Sequence, residues 1–334
     1  MVIASGNCMA VYFSDSEYLE NFLGYLAERN TGFICRGFTN PGSLAEYAAK
    51  EKIAVLLTDA EGLENGAGHI NTDLTVVLTE RPDVDTLPDV YAINILQPVD
   101  EIIREILKVV AKRDISVSKG FSDSEGYIYT FFSPVGRCLT TTLAMTAAQL
   151  LAERSETVYL NLEADSGFSV IYQQEYDADL SDLLFYLKDG IGERAALMLQ
   201  GTVCRSQGVS YVPPVTNPED LLRISSDEVR SLFSLLFGSG FKNIILDMGE
   251  ILPGFLDILS MSDRIYMPVR GDAMSKAKEG QLLSYFRTLE DFGAEERIVK
   301  LEPPYFKGIR KITENLRGTD VGRYMAGYLD YHHA

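Results

Sequence analysis

The stretch SPVGRCLTTTLAM, residues 133–145, decides how the longer part of the chain is read. The apolar run YIYTFF (127–132) precedes it, and the helical-looking segment TLAMTAAQLLAER follows. A strand, a tight loop and a helix opening on threonines is a layout that can cradle phosphate. Such a cradle needs glycines that let backbone N–H groups turn inward, a lysine that reaches the β- and γ-phosphates, and a Ser/Thr hydroxyl for Mg²⁺. The stretch supplies Gly136, the Thr141 hydroxyl and a helix N-terminus. It lacks the lysine, and Leu139 stands where glycine is needed, although leucine adopts positive φ poorly. Taken alone, it fits an ordinary strand-to-helix turn as well as a nucleotide site.

Outward from this stretch, short β-type runs alternate with amphipathic segments, the pattern of α/β domains with largely parallel sheets. After 127–132 the strand candidates are TVYLNLE (157–163), GVSYVPP (208–214), KNIILDM (242–248), DRIYMPVR (263–270) and ERIVKLEPP (296–304). Before it they are MAVYF (9–13), TGFICRGF (31–38), IAVLLTD (53–59), TVVLTE (75–80) and VYAINILQP (90–98), with helical spacing between most of them. The region EGLENGAGHINTD (61–73) gives little helical signal. The expected organisation is a flavodoxin-like domain over 1–113, a Ser/Gly-rich linker over 114–126, and a second doubly wound domain over 127–334.

Composition narrows the function classes. A hydrophobic fraction of 46% with 18 Tyr and 16 Phe describes an ordered globular protein. The formal net charge of −18 disfavours a role in coating nucleic acid. Cys8, Cys35, Cys138 and Cys204 lie far apart without metal-ligand spacing, as expected of reduced thiols in a cytosolic protein. No signal peptide or membrane-spanning run is evident, so a soluble, cytoplasmic protein is expected. No Ser/His/Asp triad or paired-carboxylate site stands out, so no catalytic residue and no metal centre is assigned. His69 in its Gly-rich loop reads as structural, and His332 and His333 as a solvated end.

At residues 133–142 the second domain resembles the MinD/ParA family of deviant P-loop ATPases. The family loop KGGxGKTT lies over Val135, Gly136, Arg137, Cys138, Leu139, Thr140, Thr141 and Thr142. The strand VYLNLEADSGF sits where the family has an Asp-x-Asp element; here those positions are Asn161 and Glu163, with Asp165 beyond. GFKNIILDMGE resembles the strand carrying the Mg²⁺-associated aspartate, which falls on Asp247. MSDRIYMPVRGDAMS is similar to the next family strand, in which an aspartate precedes a run that reports on the ligand site. The resemblance covers residues 127–334 in order. It implies Gly136 to Thr142 as a vestigial nucleotide loop, and Thr141, Glu163 and Asp247 as Mg²⁺-side groups. The departures are equally specific. Val135 and Thr140 replace both family lysines, Arg137 and Leu139 replace two glycines, and the Arg137 side chain is expected to occupy phosphate space. Without those charges the transition state loses its main stabilisers, so ATP hydrolysis is not expected.

The first domain loosely resembles a response-regulator receiver. Asp15 follows its first strand, Asp59 falls at the phosphoacceptor position, Thr79 ends the fourth strand, and Gln97-Pro98 replaces the family's Lys-Pro. The missing lysine implies a pseudo-receiver, with Asp59 as a pseudo-phosphoacceptor, though that carboxylate reads more simply as a turn cap. A receiver-like domain followed by a MinD/ParA-like domain is the architecture of TadZ/CpaE proteins, localisation factors of the tight-adherence type IV pilus machinery. That resemblance implies a non-catalytic scaffold that dimerises, concentrates at a cell pole, and recruits pilus components such as the secretion ATPase. It requires no cofactor, leaves ATP and Mg²⁺ as the ligands the loop would hold, and involves neither nucleic acid nor membrane insertion. The competing expectation is a slow ATPase that binds Mg-ATP and switches between monomer and dimer. It needs a lysine from elsewhere: Lys119, Lys242, Lys276 or Lys278. A DNA-partitioning role is the third, and the acidity opposes it.

Overall fold

The apolar runs become strands because a strand covered by helices on both faces is buried along its length. The computed structural model describes residues 8–28, 31–80, 90–113, 115, 126–188, 192–289, 292–308 and 311–329. The chain divides into two compact units, residues 1–120 with 192–201, and residues 121–191 with 202–334. Apart from Ile115 and Gly126, the expected linker lies outside the described residues, as do Lys119, His332 and His333.

The first unit holds β1 (Cys8–Tyr12), β2 (Ile34–Phe38), β3 (Ile53–Asp59), β4 (Thr72–Thr79) and β5 (Val90–Asn94). Their order, β2-β1-β3-β4-β5 with every pair parallel, is the flavodoxin-like arrangement. β1 is buried throughout, whereas the edge strand β2 is largely exposed, which suits its Arg36 and Gly37. Residues 61–73, read as irregular, begin with a short helix, Ala60–Glu64. The Asp59 side chain caps its start, a local hydrogen bond that helical periodicity cannot register.

The segment 192–201 belongs with this first unit, not with the second domain in which the sequence reading placed it. Its helix, Glu193–Thr202, buries Ala195 to Leu199. The helix Val99–Lys112 runs beside it: Arg194 Nε donates to the Ala111 carbonyl at 3.1 Å. A Cβ on Gly201 would meet Lys108 Cγ at 2.7 Å and the Arg104 carbonyl oxygen at 3.0 Å, so this approach requires glycine.

The second unit holds β6 (Tyr127–Phe132), β7 (Thr157–Asn161), β8 (Cys204–Ser206), β9 (Val209–Val212), β10 (Asn243–Met248), β11 (Arg264–Pro268) and β12 (Ile298–Leu301). The order is β12-β11-β6-β10-β7-β9-β8, parallel except that β8 runs antiparallel to β9. β8 has no apolar run to announce it. It exists because Gln207 (φ 52°) and Gly208 (φ 83°) make a tight turn with both central φ positive, the geometry that suits a two-residue hairpin. Both sheets have the doubly wound layout expected.

The helix Thr140–Leu151 is the spine of the second unit's core. Leu143, Met145 and Leu151 are buried with Tyr129, Phe131 and Ile245, and Val321, Met325 and Leu329 of the C-terminal segment join the same cluster. Gln149, fully buried, donates to the Glu314 carbonyl at 2.9 Å and accepts from the Leu316 N–H at 2.7 Å. That reciprocal pair clamps the C-terminal segment to the helix and pairs both ends of the Gln149 amide.

Candidate functional site

The chain leaves β6 through Ser133, whose hydroxyl donates to the Pro268 carbonyl at 2.6 Å and accepts from the Val135 N–H at 3.2 Å. This pins the loop's start to the end of β11. Gly136 (φ 71°), Arg137 (φ 51°) and Leu139 (φ 65°) are then all left-handed. These are the positions at which the resembled loop KGGxGKTT has glycine, and here Arg137 and Leu139 hold the left-handed conformation with side chains in place.

The expectation that Leu139 would resist positive φ is overturned. A left-handed non-glycine residue costs about 1–2 kcal/mol. Leu139 is half-buried against the core cluster, and burial of a leucine side chain, at roughly 25 cal/mol per Å², is of the size needed to offset that cost. Arg137 has no such compensation, since its side chain is exposed. Its carbonyl accepts a hydrogen bond from Arg270 Nη2. Cys138 is buried, with Sγ donating to the Gly136 carbonyl at 3.2 Å.

Leu139 is also the N-cap of the helix and makes no side-chain cap, so the first-turn N–H groups of Thr140, Thr141 and Thr142 receive no cap from it. The three threonines are half-buried. The Thr142 carbonyl accepts from the Thr146 hydroxyl at 2.6 Å.

Asp247 faces this turn from β10, in register with Phe131 of β6 and Asn161 of β7. It is fully buried. Its Oδ2 accepts from the Tyr159 hydroxyl at 2.7 Å and from Asn161 Nδ2 at 3.3 Å. Its Oδ1 has no hydrogen-bond partner, although the Thr141 hydroxyl is near enough to steady its charge. Burial, and then the Glu163 charge, push the Asp247 carboxyl up to about 7; Tyr159, Thr141 and Asn161 oppose the rise. Burial, and next the Asp247 charge, hold the Tyr159 phenol well above its ordinary value, so it stays a donor.

Glu163 stands beyond the end of β7, its N–H donating to Asn161 Oδ1 at 2.9 Å. Burial raises its pKa, the Glu250 charge adds to the rise, and the Asn161 hydrogen bond opposes it. A Cβ on Gly249 would lie 2.5 Å from Glu163 Cγ, so this glycine admits the glutamate against the end of β10. Asp165 is exposed beside a cleft of ≈ 500 Å³ that also receives Glu175 and Thr216. A second cleft, ≈ 420 Å³, opens where β6 and β10 end; Ser133, Pro134, Glu250, Ile251 and Lys278 line it. Among the described residues, no group of three or more His, Cys, Asp or Glu is placed to hold a metal ion.

The sequence-assigned residues Gly136 to Thr142 and Asp247 therefore converge on one turn. Asp263, matched to the aspartate that precedes the run reporting on the ligand site, lies away from this turn. It accepts from the Ile128 N–H at 2.8 Å, at the start of β6, the end of the sheet opposite the loop. The sequence reading did not single out Tyr159 or Arg270. Tyr159 and Asn161 are two apart in a buried strand beside β10, and an alternating polar pair in such a strand is a usable signal. Arg270 carried none.

In the first unit, Asp59 Oδ1 accepts from the Gly62 N–H at 2.6 Å, and Asp15 accepts from the N–H groups of Glu17 and Tyr18 at 2.8 and 3.1 Å. Thr79 is buried. Gln97 Nε2 donates to Glu105 at 2.9 Å, so this amide serves the helix Val99–Lys112 that Pro98 caps.

No protein-family model matches the sequence, and no curated protein does either. Several solved structures are similar. A ParA family ATPase from Chlorobium tepidum TLS is 19% identical over 52% of this chain and 72% of its own, with a TM-score of 0.44. A plasmid partition protein from Borrelia burgdorferi B31 bound to AMPPNP is 15% identical over 62% and 93%, with a TM-score of 0.43. The cell division ATPase MinD from Pyrococcus furiosus is 13% identical over 53% and 70%, with a TM-score of 0.39. At TM-scores below 0.5 these likenesses decide nothing about activity. Among the described residues, no helix is long and apolar enough to cross a membrane.

Proposed function

We propose that this chain is a non-catalytic assembly scaffold that keeps a phosphate-binding cradle and has given up hydrolysis. One observation carries the reading: Gly136, Arg137 and Leu139 hold the left-handed backbone of a phosphate loop, while the position of its lysine is Thr140. Backbone N–H groups at an uncapped helix start can bind an anion, and keeping that geometry with non-glycine residues costs stability. Hydrolysis needs more, a cation on the transferring phosphoryl group, and the loop offers only Arg137, whose side chain is exposed. Asp247 is engaged by Tyr159 and Asn161.

On this reading ATP with Mg²⁺ is a structural or switching ligand, and Thr141, Glu163 and Asp247 face its metal side. The resemblance to TadZ/CpaE proteins supports the finer role: a homodimeric, cytoplasmic factor that concentrates at a cell pole and recruits tight-adherence pilus components, the secretion ATPase among them. The first unit acts as an interaction module, because Asp59 already caps a helix and Gln97 stands where an acyl phosphate needs lysine. Calorimetric titration with Mg-ATP beside a phosphate-release assay tests the central claim. Binding without turnover is expected, and turnover would restore the slow ATPase. Association with the secretion ATPase in a two-hybrid assay tests the pilus role; its failure leaves the cradle intact and removes the assignment.

A further inference from the structure

We infer that Arg270, contributed by the segment after β11, is the cation that binds the anion in the phosphate cradle, a binding role that leaves the lysine positions Val135 and Thr140 unfilled. The inference rests on the cradle reading above and assigns its ligand class: a di- or triphosphate anion accompanied by a divalent cation.

Three observations meet at one turn. The first is the guanidinium itself: Arg270 Nη2 donates to the Arg137 carbonyl, in the middle of the left-handed run. A cation held on a loop carbonyl is placed to exchange that carbonyl for a phosphate oxygen, and a planar guanidinium suits phosphate bidentately. The second is the attachment of the two segments. The Ser133 hydroxyl bonds the Pro268 carbonyl, so the residue two positions before Arg270 is tied to the loop's first residue. The third is the fully buried Asp247: its Oδ1 has no hydrogen-bond partner, and the Thr141 hydroxyl is near enough to steady its charge. A buried carboxylate oxygen without a partner costs stability, and such a group calls for a cation or a donor from a ligand. An anion approaching Asp247 and Glu163 without a metal would be repelled, which is why the ligand arrives with a divalent cation.

Arg137, the other cation here, offers a direct competing assignment. Both arginine side chains are exposed; what separates them is that Arg137 contributes to the contact only its backbone carbonyl, which no side-chain substitution removes.

Inorganic pyrophosphate in magnesium-containing buffer is the probe, titrated calorimetrically into the full chain and into Arg270→Ala, Arg270→Lys and Arg137→Ala. Arg270 is exposed, so its replacement should leave the near-UV circular dichroism and unfolding temperature unchanged. Arg270→Ala is expected to weaken pyrophosphate about tenfold or more, Arg270→Lys less, and Arg137→Ala little. If the wild type binds and Arg270→Ala binds equally, the inference is overturned while the cradle stands. If the loss follows Arg137→Ala instead, the inference is overturned and the cation lies in the loop. If the wild type binds no pyrophosphate, the cradle reading falls and the inference with it.

Discussion

Asp59 and Asp247 stand near the C-terminal ends of β3 and β10, each flanked by parallel strands, and their surroundings differ in kind. Asp59 ends β3 and is fed by a backbone donor, the Gly62 N–H of the helix it caps. Asp247 comes one residue before the end of β10 and is fed by side chains from a neighbouring strand, Tyr159 and Asn161, with the Glu163 charge near by. A helix start brings its own donors, so a carboxylate there is served by local chain. A carboxylate inside a sheet is served only by what register places beside it. The first arrangement is modular and replaceable; the second is set by the tertiary fold.

The largest test of that contrast is Asp247→Asn. Burial holds the folded carboxyl at about 7, above its ordinary value, so ionisation opposes folding. Stability from this group is full below about pH 4, declines as pH rises toward 7, and is level above. In metal-free buffer near pH 8, Asp247→Asn should therefore be more stable than wild type, by on the order of a few kcal/mol, with the gap closing toward pH 4. Urea unfolding across pH measures this; a destabilised Asn variant at pH 8 would show that the carboxylate is stabilising as an ion. Next in size is Tyr159→Phe, which removes one donor from the buried carboxylate and should cost about 1–3 kcal/mol. In the Asp247→Asn background the cost should shrink, and strict additivity in that cycle would break the claimed coupling.

Asp59→Ala should cost about 1 kcal/mol through the lost cap, and Asp59→Asn should recover most of it. Intact mass after acetyl phosphate treatment should show no adduct, and a labile one on Asp59 would mean that this carboxylate is more than a cap. The smallest effects concern the loop. Arg137→Gly relieves a left-handed, exposed residue and should be neutral or stabilising by up to about 1 kcal/mol. Leu139→Gly should have the opposite sign, because it also gives up the half-buried leucine. Equal signs would remove burial as the reason Leu139 tolerates its conformation.

Much of the fold was legible in the residues. IAVLLTD and NIILDM are buried along nearly their whole length, and such continuous apolar runs mark strands covered on both faces. What stayed illegible was short or borrowed. CRS became a strand through the Gln207-Gly208 turn, AEGLE a helix through the Asp59 cap, and 192–201 a part of the first unit through close approach at Gly201. Of the candidate site, Gly136 and Thr141 could be named from the stretch 133–145 itself, and Asp247 only through the family resemblance. The conformation of Leu139 could not, because propensity argues against it and burial argues for it.

On the proposed reading, the residues by themselves determined what chemistry is missing: Val135 and Thr140 stand where the resembled family has its lysines, and no fold can change a side chain's identity. They also determined the alternation of strands and helices, since that depends on periodicity within a few residues of chain. Only the tertiary structure decided that Arg270 reaches the Arg137 carbonyl, that Tyr159 and Asn161 engage Asp247, and that Lys278 lines the cleft beside Ser133. Each of those partners is remote in sequence. Their meeting follows from a sheet order that sets β6 between β10 and β11 and β7 beside β10, which no local pattern encodes.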